Sequence, residues 1–218
     1  MIEIVSLHIL KTGGMSFLEL LREEYGNEHV YHYIEKDSRF VKLKRALKLR
    51  TIPSRAKVIH GHFIFEDVRH IVEKDHPKVI VWFRDPIKRV VSRYHYLMKN
   101  ISENPNHPKL AWKNDTLLEF AQRPSQINVM SRFIKGIELE DLFFFGFLER
   151  FDEDLSELAA KLGWEHTKQV HANSNADYLS KVNTELDEMT RKKLEEINQL
   201  DMQLYHSALT LKGIHPIK

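Results

Sequence analysis

The sequence predicts an α/β domain built on a largely parallel sheet, and three observations carry that expectation. Short apolar runs of strand length alternate with longer stretches of helical periodicity. Three of these runs end in Lys-Thr-Gly-Gly, His-Gly-His and Arg-Asp-Pro and lead directly into helical patterns, the order of a βαβ unit. The run Lys78-Val79-Ile80-Val81-Trp82-Phe83 is apolar throughout after its first residue, as a strand covered on both faces must be. With 218 residues, 42% of them apolar and 29% charged, the chain suffices for one sizeable core and leaves no case for long disorder. Residues 1–218 are therefore read as a single domain.

The first strand is expected over Ile4, Val5, Leu7 and Ile9, and the first helix over Phe17, Leu18, Leu20 and Leu21. Between them Gly13 and Gly14 let the backbone turn with no Cβ in the way, so that N–H groups and the positive end of the helix dipole can face one anion. Lys11, Thr12 and Ser16 add a charge and two hydroxyls to the same place. An ordinary strand-to-helix turn explains this stretch equally well. It is not a Walker loop, because the lysine precedes the glycines and no Gly-Lys-Ser/Thr follows, which argues against a kinase or GTPase.

The segment from Glu35 to Lys57 is rich in lysine and arginine over a helical apolar pattern. A solvated basic face is the simpler reading, and a docking surface for an acidic partner the functional one. Val58 to Phe63 forms the next strand, ending in His60-Gly61-His62. Strand ends in open α/β sheets are where ligands bind, which lifts these two histidines above the other eleven of the chain's 13. A helix follows from Glu66 to Lys74. After the strand at Lys78–Phe83, Asp85 is a good N-cap and Pro86 a good first residue for a helix over Ile87 to Lys99. Arg84, Arg89, Ser92 and Arg93 then lie at the strand end or in the first two turns, where forked guanidinium groups and a hydroxyl can grip a phosphate.

Pro105 and Pro108 suggest a long loop from Ile101 to Asn114. Asp115 is expected to cap a short helix from Thr116 to Gln122, and another short helix in 124–136 carries Asn128 and Arg132. Asp141 to Leu148 reads as a fourth strand and Glu149 to Leu162 as an amphipathic helix closed by Gly163. A polar loop covers His171 to Asp177. One apolar stripe (Leu186, Met189, Leu194, Ile197, Leu200 and Leu204) predicts a long terminal helix.

The absence of cysteine excludes disulfides, thiolate metal sites and cysteine nucleophiles, and fits a reducing, cytoplasmic setting. No signal segment is expected, and no run approaches the ~20 apolar residues of a membrane span. The formal charge of +2 rules out a generic polyanion binder, and aromatic interleaving in the basic segment is limited to Phe40, which argues against nucleic acid. Nothing in the sequence specifies an oligomeric state.

Taken in order, HILKTGGMS, HGHF and FRDPIKRVVSRYHYL resemble the sulfotransferase superfamily, and most closely the branch containing heparan sulfate 2-O-sulfotransferase and its bacterial relatives. The resemblance continues through FGFLERFDEDLSELAAKLGW and LDMQLY, and so spans most of the chain. It implies a P-loop-like three-layer α/β sandwich, a central, mostly parallel sheet flanked by helices. It implies transfer of a sulfuryl group from 3′-phosphoadenosine 5′-phosphosulfate (PAPS) to an acceptor hydroxyl, favours a carbohydrate acceptor, and calls for no metal. By the same resemblance Lys11, Thr12, Gly13, Gly14, Met15 and Ser16 hold the 5′-phosphosulfate, Arg84 and Ser92 bind the 3′-phosphate, His62 is the general base, His60 its companion, and Lys11 stabilises the leaving group. Leu10 and Met15 stand where relatives usually carry proline and threonine, a departure that bears on donor affinity. The alternative is a non-catalytic nucleotide- or polyanion-binding protein on the same fold.

Overall fold

The computed structural model describes residues 1–33, 52–164 and 186–214. Most of the basic segment, and the expected polar loop at 171–177, lie outside the described residues. The described chain forms two compact units, one of residues 1–33, 52–83 and 132–164, the other of residues 84–131 and 186–214.

The first unit holds five strands: β1 (Ile4–Leu7), β2 (Val30–Tyr33), β3 (Val58–Gly61), β4 (Lys78–Phe83) and β5 (Phe144–Phe147). They make one all-parallel sheet in the order β2-β3-β1-β4-β5. α1 (Gly14–Tyr25) follows β1, α2 (Phe65–Asp75) follows β3, and α6 (Phe151–Leu162), numbered after three helices introduced below, follows β5. Ile4, Val58, Ile80, Trp82 and Phe144 share one sheet face and pack with Phe17, Leu18 and Leu21 of α1 and Phe151, Leu155 and Leu158 of α6. Trp82 anchors this layer, its ring 4.5 Å from Phe151 and 5.6 Å from Phe17. Each fully buried side chain of this size contributes roughly 1.5–3 kcal/mol. The step from β1 to β2 and the step from β3 to β4 run in opposite directions along the sheet. Right-handed crossovers therefore put α1 and α2 on opposite faces.

The sequence reading missed β2. Val30-Tyr31-His32-Tyr33 has strand-favouring Val and Tyr residues but is only four residues long, too short to stand out as a pattern before it pairs with β3.

In the second unit Asp85 caps α3 (Pro86–Glu103), its Oδ1 accepting from the Lys88 N–H at 2.8 Å. Ile87, Val90, Val91, Leu97 and Ile101 of this helix bury against Phe120 and Ala121 of α4 (Leu117–Ala121) and Leu194 of α7 (Glu188–Ile197). Ile101, expected to open a loop, continues this buried stripe one turn beyond Leu97, so the helix runs on to Glu103. Thr116, not Asp115, caps α4: its hydroxyl accepts from the Glu119 N–H at 3.3 Å while the Glu119 carboxylate accepts from the Thr116 N–H at 2.7 Å. Asp115 instead takes a two-pronged bond from Arg123, at 2.8 and 2.9 Å.

The terminal stripe is not one helix. It breaks at Asn198 into α7 and α8 (Gln199–Leu211), leaving Met189 and Leu200 exposed. Asn198 is fully buried, its side chain donating to the Leu194 carbonyl and accepting from the Asn128 N–H. Asn128, which precedes α5 (Val129–Phe133), accepts in turn from the N–H groups of Leu200 and Asp201, so its side chain serves the α8 N-terminus.

Candidate active site

The histidines at the sheet's C-terminal edge come together through register. In the parallel pairing Ser6 lies beside His60 and His60 beside His32, so the three side chains leave one sheet face in a row. His8 lies two residues beyond Ser6, on the same side. Its ring stands 4.9 Å from that of His60 and 4.2 Å from that of His62, and the rings of His32 and His60 are 5.6 Å apart.

Backbone bonds lace the three strand ends. The His8 N–H donates to the Gly61 carbonyl at 2.9 Å and the His62 N–H to the Tyr33 carbonyl at 3.2 Å. Glycine is required between His60 and His62, because a Cβ at Gly61 would overlap the Tyr33 carbonyl oxygen. His60 is fully buried, its Nδ1 sharing a 2.9 Å hydrogen bond with the Ser6 hydroxyl. His62 is half-buried, and its Nδ1 lies 2.8 Å from the His8 carbonyl oxygen. A carbonyl only accepts, so Nδ1 carries the proton and, in the neutral ring, Nε2 carries the lone pair.

The loop between β1 and α1 is built for close approach. Lys11 and Gly13 both take left-handed backbone angles, φ 70° and 88°, and Gly14 begins the helix where any Cβ would overlap the His8 imidazole. The Thr12 hydroxyl turns inward and donates to the Ile9 carbonyl at 2.9 Å, while Met15 is 55% exposed and Ser16 is buried. No side chain caps α1 and no acidic residue lies in its first turn, so its positive end is left for an anion.

Burial holds the histidine cluster neutral. The His8 and His60 rings are pushed well below the usual imidazole range, first by burial and then by neighbouring imidazoles; Lys11 adds to this at His8 and Arg22 at His60, where the Gly14 carbonyl acts the other way. Burial, Arg22 and His62 lower His32 from 6.5 to about 4. Below pH 6.5 the unfolded chain therefore takes up protons that the folded cluster refuses, and folding loses stability down to about pH 4. The melting temperature, measured in EDTA, is expected to fall across that window, and His32→Gln to flatten part of the decline. An unchanged slope in the variant would remove His32 from this account.

In the second unit Arg84 directly follows β4 and Ser92 lies in α3, and both side chains are buried. Arg89, grouped with them in the sequence reading, belongs to the core. It is 1% exposed, and its Nη2 faces the Gln126 carbonyl at 3.5 Å and the buried Asp201 carboxylate at 3.9 Å. Arg93 lies over the Tyr96 ring. Sequence reasoning missed His8 and His32. The shared spacing of Ser6/His8 and His60/His62 on neighbouring strands is the signal that pairs the first, and His32 was lost with β2.

A family model described as the sulfotransferase family matches residues 2–207, nearly the whole chain. The chain belongs to the sulfotransferase family. Among solved structures, this sulfotransferase-family chain resembles mouse sulfotransferase SULT7A1 complexed with PAP, at 18% identity and a TM-score of 0.51. The likeness covers 83% of this chain and 62% of the mouse chain, and at that identity it speaks to the fold. No curated protein matches the sequence. Among the described residues, no helix is long and apolar enough to cross a membrane.

Proposed function

We propose that this sulfotransferase-family chain moves the sulfuryl group of PAPS to a hydroxyl of a carbohydrate, in a cytoplasmic setting that suits its lack of cysteine. The observation that carries the reading is the 2.8 Å approach of His62 Nδ1 to the His8 carbonyl, which leaves Nε2 as the basic atom of the neutral ring, beside a loop suited to an anion.

Each unit, taken by itself, holds residues of the kind one end of the donor needs. Left-handed Gly13 and the uncapped start of α1 suit the 5′-phosphosulfate, with Lys11 close in sequence and Thr12, Gly14, Met15 and Ser16 completing the loop. Arg84 and Ser92 would hold the 3′-phosphate. When bound, PAPS supplies a sulfuryl group already activated by its link to phosphate. His62 Nε2 takes the proton of the acceptor hydroxyl, and the Lys11 ammonium offsets negative charge gathering on the departing 5′-phosphate oxygen. His60 has no exposed surface from which to meet an acceptor, so it supports the strand end that carries His62. The basic residues between Lys36 and Lys57 favour an anionic glycan.

Calorimetry with 3′,5′-adenosine bisphosphate (PAP) beside ADP tests the donor. A preference for the bisphosphate of about 10-fold or more is expected from one charge-assisted contact. Equal affinity, or none, would move the non-catalytic reading to the front. Transfer of labelled sulfuryl from PAPS to a panel of desulfated glycans and to simple phenols then tests the acceptor class, and transfer to the phenols alone would overturn the carbohydrate assignment.

A further inference from the structure

Sulfuryl transfer as proposed asks for one basic imidazole at the sheet edge, yet four stand there. His8, His32 and His60 need another account. One nitrogen from each lies within 4.8 Å of those of the other two. Each ring also holds a buried nitrogen with no partner in hydrogen-bond geometry, His8 Nδ1, His32 Nε2 and His60 Nε2, although the Gly14 carbonyl stands near the His60 ring. Three such orphans in one cluster is a costly arrangement for a core that gains nothing from it.

We propose that His8, His32 and His60 form a three-histidine site for a borderline divalent cation, with Zn²⁺ the best match to three imidazoles and one open position. The rings converge from three adjacent strands, so the cation would clasp the ends of β1, β2 and β3. His60 has the support that ligating histidines usually have, its Nδ1 bonded to the Ser6 hydroxyl. All three rings are held neutral, the form that ligates. Neither thiolate nor carboxylate belongs to the cluster, which disfavours Mg²⁺ and Ca²⁺. Tetrahedral ligation with bonds of 2.0–2.1 Å needs nitrogens about 3.3 Å apart, so the rings must close inward, and His32, the least buried, has the most room to move. Arg22 beside His32 and His60, and Lys11 near His8, oppose a dication; they favour an anion in the fourth position and keep affinity moderate. The absence of cysteine excluded thiolate sites only, and this site lies outside that exclusion. It is not needed for sulfuryl transfer and stands whether or not that reading holds.

The test is calorimetric titration of the chelator-treated, desalted full chain with Zn²⁺, and absorption of the same protein with Co²⁺. One Zn²⁺ per chain and the intense visible bands of tetrahedral Co²⁺ are expected. His32→Ala should weaken Zn²⁺ more than about 100-fold, beyond the usual cost of losing a supporting partner. His206→Ala, which alters an exposed histidine of the second unit, should leave binding unchanged. Circular dichroism without metal reports whether the variants fold. If His32→Ala does not, Ser6→Ala carries the test with an expected loss of about 10- to 100-fold. No stoichiometric Zn²⁺ binding, or binding that the folded cluster variants leave intact, would overturn the site.

Discussion

Replacing His62 with alanine is expected to lower turnover by roughly 10²- to 10⁴-fold, the usual contribution of a positioned general base, while PAP binds almost as before. The physical case rests on which nitrogen is committed. Nδ1 faces the His8 carbonyl at 2.8 Å, so a neutral ring presents its lone pair at Nε2, while burial shuts His8 and His60 away from an acceptor and lowers their affinity for a proton, which removes rival bases from the same edge. Asparagine is the sharper substitution. Its side-chain N–H can replace Nδ1–H toward the His8 carbonyl, so His62→Asn should preserve the strand end yet be as inactive as His62→Ala. Single-turnover rates with PAPS and a working acceptor, read beside the melting temperature, separate the outcomes. Turnover near wild type in either folded variant would take the base role away from His62.

The strands that organise this edge were legible as linear pattern. Lys78–Phe83 is a strand with the bounds its apolar run predicts, and Asp85-Pro86 opens the following helix as their cap and first-turn preferences require. What linear pattern does not carry is lateral register. Ser6, His60 and His32 are neighbours only because three parallel strands pair in step, and β2, at four residues, is too short to announce itself. Polar side chains that serve the core were misread for the same reason. Arg89 resembled an anion ligand beside Arg84 until Asp201, 112 positions later, came to face it in the core, and Asn198 breaks a helix that hydrophobic spacing alone would continue. Such residues are set by partners distant in sequence, which no local window contains.

Replacing Arg84 with alanine is expected to weaken PAP by about 10- to 150-fold, the equivalent of a charge-assisted hydrogen bond of ~1.5–3 kcal/mol, and to leave ADP unchanged. The contrast between the two ligands is what makes the prediction specific. Arg84 is 6% exposed, so its truncation also removes packing, and a general loss of structure would weaken both nucleotides together. An effect confined to the ligand with a 3′-phosphate has no such explanation. Lysine keeps the charge but not the planar fork, so Arg84→Lys should recover only part of the loss. Ser92→Ala, which removes one neutral donor from a buried position, should cost less, about 1 kcal/mol. The ordering Arg84→Ala, Arg84→Lys, Ser92→Ala, measured as the PAP-to-ADP affinity ratio in one calorimetric series, distinguishes a clamp on phosphate from a structural arginine. If the ratio stays at the wild-type value in all three variants, the 3′-phosphate is held elsewhere.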